Sequence, residues 1–160
     1  MKTKRWIVGV LLAASLLAGC ANLTAIYEDD QRITADADSF HMVRAFSNIV
    51  NDNFKASVGK MEGMDTIWIY EAGEAEDLDI TYTIQVSSGK LKLVWIGPEG
   101  EASVIVECEG NSAMESVQDT LHVESGRNRV KIVAAEDKQF EIELSIPEGE
   151  FQSLESGLLF

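Results

Sequence analysis

From residue 54 onward, apolar side chains fall at every second position, the period of a strand that buries one face. Phe140, Ile142, Leu144 and Ile146 alternate with Glu141, Glu143 and Ser145, the cleanest instance. Ile80, Tyr82, Ile84 and Val86 alternate with Thr81, Thr83 and Gln85, and Leu91, Leu93 and Trp95 follow a Ser88-Gly89 turn. Val104, Val106 and Cys108, then Leu121 and Val123, then Arg129–Ala134 continue the series, and Phe54–Gly59 and Thr66–Tyr70 precede it. Turns at Gly97-Pro98-Glu99-Gly100 and Ser125-Gly126-Arg127-Asn128 separate the runs, where a parallel sheet would need helices. Both prolines sit at strand ends, where a missing N–H is tolerated. Seven or eight short strands joined by turns predict an all-β fold, a single antiparallel β-sandwich over residues 54–150. One greasy face per strand lets two sheets bury against each other.

Upstream the pattern changes. Residues 21–39 carry five Asp or Glu and no sustained period, which predicts a flexible spacer over 20–39. Phe40, Val43, Phe46, Ile49, Val50 and Phe54 then recur at helical spacing, so residues 40–53 read as a short amphipathic helix, with an early strand as the alternative. Such a helix would pack on the sheet, because it lacks the basic face of a membrane-surface helix. Residues 151–160 form a tail ending Leu158-Leu159-Phe160, an end that packs back or frays.

The first twenty residues are an address. Lys2, Lys4 and Arg5 precede an apolar run from Ile7 to Ala18, which is 12 residues and too short for a bilayer core that needs about 20. A charged start, a short apolar stretch and small residues at its end describe a secretory signal over residues 1–19. Leu17-Ala18-Gly19-Cys20 resembles a bacterial lipobox. The resemblance implies that the Cys20 thiol is diacylglycerylated, that the chain is cut before it, and that acyl chains hold the protein to the cell membrane on its extracytoplasmic face. Cleavage removes three cations and leaves 10 basic against 27 acidic side chains, a formal −17.

The segment Ile80–Ile146 resembles small bacterial jelly-roll modules such as galactose-binding-like and pre-peptidase C-terminal domains. The hairpin TYTIQVSSGKLKLVWIGPEG, the strand-turn-strand LHVESGRNRVKIV and the closing QFEIELSI carry the likeness. Modules of that class are commonly non-catalytic and often bind carbohydrate. It also resembles small Gram-positive lipoproteins that carry one such sandwich.

Little in the chain speaks for chemistry. Its acidity disfavours nucleic acid, whose phosphates must be neutralised by Lys and Arg. The two histidines, His41 and His122, fall short of a zinc ligand set, and no HExxH, CxxC or GxSxG occurs. Cys108 shares a face with Val104 and Val106 and reads as a small core residue; its neighbours Glu107 and Glu109 would raise a thiol's pKa. The acidic run Glu71–Asp79 lacks the spacing of an EF-hand loop and reads as a solvated hairpin loop, a weak cation site being the sharper alternative. Trp68 and Tyr70, two residues apart, share one strand face opposite Ile67 and Ile69. If the isoleucines point inward, the aromatics form an exposed platform for a sugar ring or a partner protein; if the Trp68 face is buried, they do not. Trp95 shares a face with Leu91 and Leu93 and reads as core.

These readings converge on a membrane-anchored lipoprotein with a non-enzymatic binding or scaffolding module. Its expected partners are cell-wall carbohydrate or an envelope protein, and no catalytic residue, metal or cofactor is expected. The alternatives are an envelope hydrolase working through paired carboxylates and a purely structural lipoprotein. Fatty-acid labelling in a bacterial host should mark the wild-type chain and spare Cys20→Ser; an unlabelled, soluble wild-type chain would overturn the anchor.

Overall fold

The computed structural model describes residues 22–136 and 139–154. Among them nine strands form one antiparallel sheet: β1 (Ser39–Val50), β2 (Asn53–Ala72), β3 (Glu76–Val86), β4 (Lys90–Ile96), β5 (Ala102–Glu109), β6 (Ser112–Val123), β7 (Gly126–Ala135), β8 (Phe140–Ser145) and β9 (Glu150–Phe151). The expected all-β antiparallel architecture is what the chain adopts.

The layout follows from β2, which is 20 residues long and serves two layers. Its first half, from Asn53 to Val58, pairs with β8 and continues through β3 to β6. Its second half, from Gly63 to Ala72, pairs with β7 and continues through β4 to β5. The order is that of a jelly roll, with two successive strands fused into one bent strand. β1 runs along the free edge of β2 across the bend, and β9 pairs with Trp68 and Ile69. The outer strands β5 and β6 come together, so the sheet nearly closes into a barrel. Phe54, Trp68, Tyr82, Ile132, Phe140 and Leu144 are among the side chains that fill the space between the layers.

The bend reverses which side chains face inward. Phe54, Ala56 and Val58 are buried along the first half of β2, and Met61 takes over beyond Gly59 and Lys60. The paired strand reverses at the same level, where Arg44 adopts φ 54° and the buried positions step from Met42 to Ala45. Gly63 sits at φ 99°, and a Cβ there would lie 2.1 Å from the Ser39 carbonyl oxygen. Only a residue without a side chain lets the two backbones run this close.

This reversal explains why residues 40–53 do not form the expected helix. A three-residue step between inward positions of a bent strand imitates helical spacing. Phe46 is 73% exposed and Val50 57%, so two of the six apolar positions face water. The Asn51-Asp52 turn, with Asn51 at φ 52°, joins β1 and β2 as a two-residue hairpin.

The spacer expected over 20–39 is also corrected. A 3-10 turn at Thr24–Glu28 and the helix α1 (Asp30–Thr34) lie on the outer face of the β4–β7 layer. Ile26, Tyr27 and Ile33 are buried there against Met64, Val94, Ile96, Val133 and Ala135. β4 and β7 are therefore covered on both faces: every residue of Leu91–Ile96 and of 128–135 is buried, where a one-faced strand would alternate.

Polar contacts fix this strap. Thr24 Oγ1 donates to Glu62 at 2.8 Å, and Tyr27 Oη donates to Glu107 at 2.7 Å. The Lys92 ammonium lies 4.6 Å from the Tyr27 ring centre. Arg129 donates to the carbonyls of Thr34 and Ala35 and pairs with Asp36 at 3.1 Å. Lys131, fully buried, donates to the carbonyls of Ala35 and Ala37 and pairs with Asp38 at 3.0 Å. Burial pulls the Lys131 ammonium below its ordinary pKa against the opposing pull of Asp38.

Two substitutions test this account by urea unfolding. Gly63→Ala should cost ~2 kcal/mol or more, since a left-handed backbone and a backbone clash coincide there. Lys131→Ala should cost about 2 kcal/mol by removing the donor to the Ala37 carbonyl and the partner of Asp38, and should speed amide exchange across residues 24–38. Unchanged exchange in that stretch would show that the strap is held without the lysine.

Candidate functional site

The two outer faces of the barrel differ. The strap covers the β4–β7 layer, whereas the β3–β8 layer leaves its outer face open, with a groove of ≈ 440 Å³. Register sets the residues of that groove. Phe46, Ser57, Glu141 and Gln85 form one cross-strand row, and Asn48, Lys55, Glu143 and Thr83 form the next. Directly opposed positions on antiparallel strands share a face, so each row presents its side chains together.

Phe46 stands at the β1 side of this face as its one large exposed aromatic. Val50, 57% exposed, shares its β1 face, Ala56 and Ile142 also line the groove, and the remaining side chains are amides, hydroxyls, Glu141 and one ion pair. Lys55 Nζ meets Glu143 Oε1 at 2.9 Å, and Asn53 Nδ2 donates to the same oxygen at 3.1 Å. The bond from Lys55 holds the Glu143 carboxyl below its ordinary pKa. Glu141 is exposed beside it. The arrangement can stack a flat apolar ring surface against Phe46 and offer donors and acceptors to groups around that ring.

The expected aromatic platform on β2 is not present. Trp68 is fully buried, its indole N–H donating to the Glu148 carbonyl at 2.8 Å. The β8–β9 turn lies directly over it: a Cβ on Gly149 would sit 2.6 Å from the indole nitrogen. A β-bulge between Thr66 and Trp68 shifts the register with β7, so Ile67 and Trp68 are both buried and simple alternation fails. Tyr70 is half-buried, 5.8 Å from Trp68 between ring centres. It donates to Glu76 at 2.7 Å, and that bond helps push the phenol up to about 12.

The other singled-out residues are dispersed. Cys108 is buried, and burial pushes its thiol up. Trp95 is buried and donates to Asn128 Oδ1 at 3.2 Å. His41 is exposed on β1. His122 is exposed on β6, 2.7 Å from Asp77 and 3.3 Å from Glu124. The carboxylates of the acidic run 71–79 take protein partners in different directions: Glu71 faces Arg127, Glu76 faces Tyr70 and Asp77 faces His122. Among the described residues, no three His, Cys, Asp or Glu side chains gather where a metal ion could bind. Cys20 and Leu158-Leu159-Phe160 lie outside the described residues. Leu154, before them, is buried, its N–H bonded to Ser47 Oγ.

Phe46 is the site residue that sequence reasoning placed wrongly, on the apolar face of a helix. The signal that could have found it is the Asn51-Asp52 pair: a hairpin turn there makes the preceding run a strand, with Phe46, Asn48 and Val50 on one face.

No family model and no curated protein matches the sequence. Solved structures give distant likenesses. An oxalate oxidase in complex with the substrate analogue glycolate is 8% identical, with 64% of this chain covering 45% of that one at a TM-score of 0.32. PirA is 11% identical, with 71% of this chain covering 98% of that one at 0.34. The EutQ protein of Clostridium difficile is 12% identical, with 71% covering 66% at 0.25. The chain thus spans less than half the length of the oxalate oxidase.

The His122 pair offers a check on the surface electrostatics. Hydrogen bonding to Asp77 raises the imidazole pKa from its ordinary 6.5. The pair's small contribution is therefore fully present below pH 6.5 and fades as pH rises through the folded value. NMR titration should find the His122 pKa lower in Asp77→Asn than in the wild type; an equal value would remove the pairing.

Proposed function

We propose that the chain is a membrane-anchored extracytoplasmic lipoprotein whose jelly-roll domain is a non-enzymatic binding module for uncharged or amino-sugar glycan chains of the cell envelope. The observation that carries the binding reading is Phe46, 73% exposed at the side of an open groove whose two cross-strand rows otherwise carry hydrogen-bonding side chains. An aromatic left in water beside ordered amides and hydroxyls suits the apolar face of a sugar ring and its hydroxyls. The anchor reading rests on Leu17-Ala18-Gly19-Cys20 and the charged, short apolar stretch before it.

The pair Glu141 and Glu143 is poorly set for glycoside hydrolysis. A general acid needs a raised pKa. Glu143 has the reverse, tied to Lys55 and Asn53.

Calorimetric titration of residues 20–160 with soluble cell-wall glycan fragments tests the site. Saturable binding should weaken at least ~10-fold in Phe46→Ala, on the scale of a lost aromatic hot spot. Phe46→Ala should leave folding intact, since the ring faces water. Binding that is absent, or unchanged by the substitution, would sink the glycan reading. Capture of a protein in place of a glycan would transfer the groove to a protein partner.

A further inference from the structure

The strap brings the anchor and one end of the barrel together. β2 rises from the Asn51-Asp52 hairpin, turns over at residues 59–62 and returns to Ala72, so the connections divide into two ends. The bend, the β3–β4 turn and the β5–β6 turn lie at one end. The β2–β3, β4–β5, β6–β7 and β8–β9 connections lie at the other. The strap begins at the bend end: Thr24 bonds Glu62, and Tyr27 sits beneath Lys90 and Lys92 of β4.

Only two peptide steps separate Cys20 from Asn22, a reach of at most ~7 Å. The strap is docked from Thr24 onward, with Leu23 packed against the same cluster. A lipid on Cys20 would therefore pin the bend end close to the headgroups.

Both ends carry charges of either sign: Glu74, Glu99, Glu124, Glu148 and Arg127 are among those at the far end, and Arg44, Lys60, Lys90, Glu28, Glu62, Glu109 and Glu136 lie at the bend end, so the docked strap and not charge sets which end faces the lipid.

We infer that the bend end, where the strap begins, is the surface that rests on the lipid bilayer, with the β2–β3, β4–β5, β6–β7 and β8–β9 connections pointing away. This rests on the anchor reading above. It makes the orientation a property of the fold, because a docked strap leaves no slack for the domain to tumble.

The test supplies the lipid chemically. Residues 20–160 are coupled at Cys20 to a maleimide phospholipid in phosphatidylglycerol–phosphatidylcholine vesicles carrying a headgroup energy acceptor. A donor is placed, through an azide-bearing residue, at Ser88 near the bend or at Gly73 at the far end. Ser88 is exposed and Gly73 has open space around it. The two ends lie about 30 Å apart by strand rise, so transfer from Ser88 should exceed that from Gly73 by roughly twofold. Equal transfer, or the reverse order, would overturn the orientation. Because coupling replaces cellular lipidation, a failure here leaves the anchor reading standing. A wild-type chain that takes no fatty acid in cells would overturn the anchor without touching this measurement.

Discussion

Two cations under a strap organise this molecule. Lys131 is fully buried and Arg129 nearly so, both on β7, a strand covered on both faces. Removing a charged group from water is costly unless partners replace it. The partners come from residues 34–38: the carbonyls of Thr34, Ala35 and Ala37 and the carboxylates of Asp36 and Asp38. Without the strap, both cations would need water on that face, and the apolar patch of Met64, Val94, Ile96 and Val133 would be bare. The N-terminal segment is therefore part of the domain, and its attachment to the sheet is electrostatic at one end and apolar at the other.

The strap also settles which face of the sandwich is free. Covering the β4–β7 layer leaves the outer β3–β8 face as the broad open sheet surface, and β1 extends it by one strand. That extension supplies Phe46 and Asn48. The bend of β2 is thus linked to the groove: without the reversal at Arg44 and Gly59, Phe46 would fall on the other face of β1.

The alternation of Phe140–Ile146 and Ile80–Val86 made the β3–β8 layer readable in advance, because those strands have one wet face. Prediction failed where a strand departs from a flat, one-sided ribbon. At Met42–Ala45 a bend imitated helical period, and at Ile67–Trp68 a bulge placed neighbours on the same side. The strap was misread for a different reason. Its apolar anchors, Ile26, Tyr27 and Ile33, are sparse, and the buried cations that hold it lie some 95 residues downstream. No local window contains that pairing. The aromatics show the same limits: alternation alone leaves open whether Trp68 is exposed or buried and the fold buries it, whereas helical spacing packs Phe46 on the sheet and the fold exposes it.

The acidity of the domain narrows what its groove can hold on the glycan reading. A chain with 27 Asp and Glu against 13 Lys and Arg repels phosphate- or carboxylate-rich polymers at long range. Within the groove, Lys55 is committed to Glu143, and Glu141 adds a further negative charge. An anionic ligand would meet no free cation there to offset that repulsion, whereas a neutral or amino sugar would meet none of it. Aromatic stacking on Phe46 is insensitive to ligand charge, so discrimination falls to Glu141 and to the Lys55–Glu143 pair. Salt would then weaken exclusion of anionic chains more than it weakens stacking of neutral ones, because screening acts on the first and not on the second.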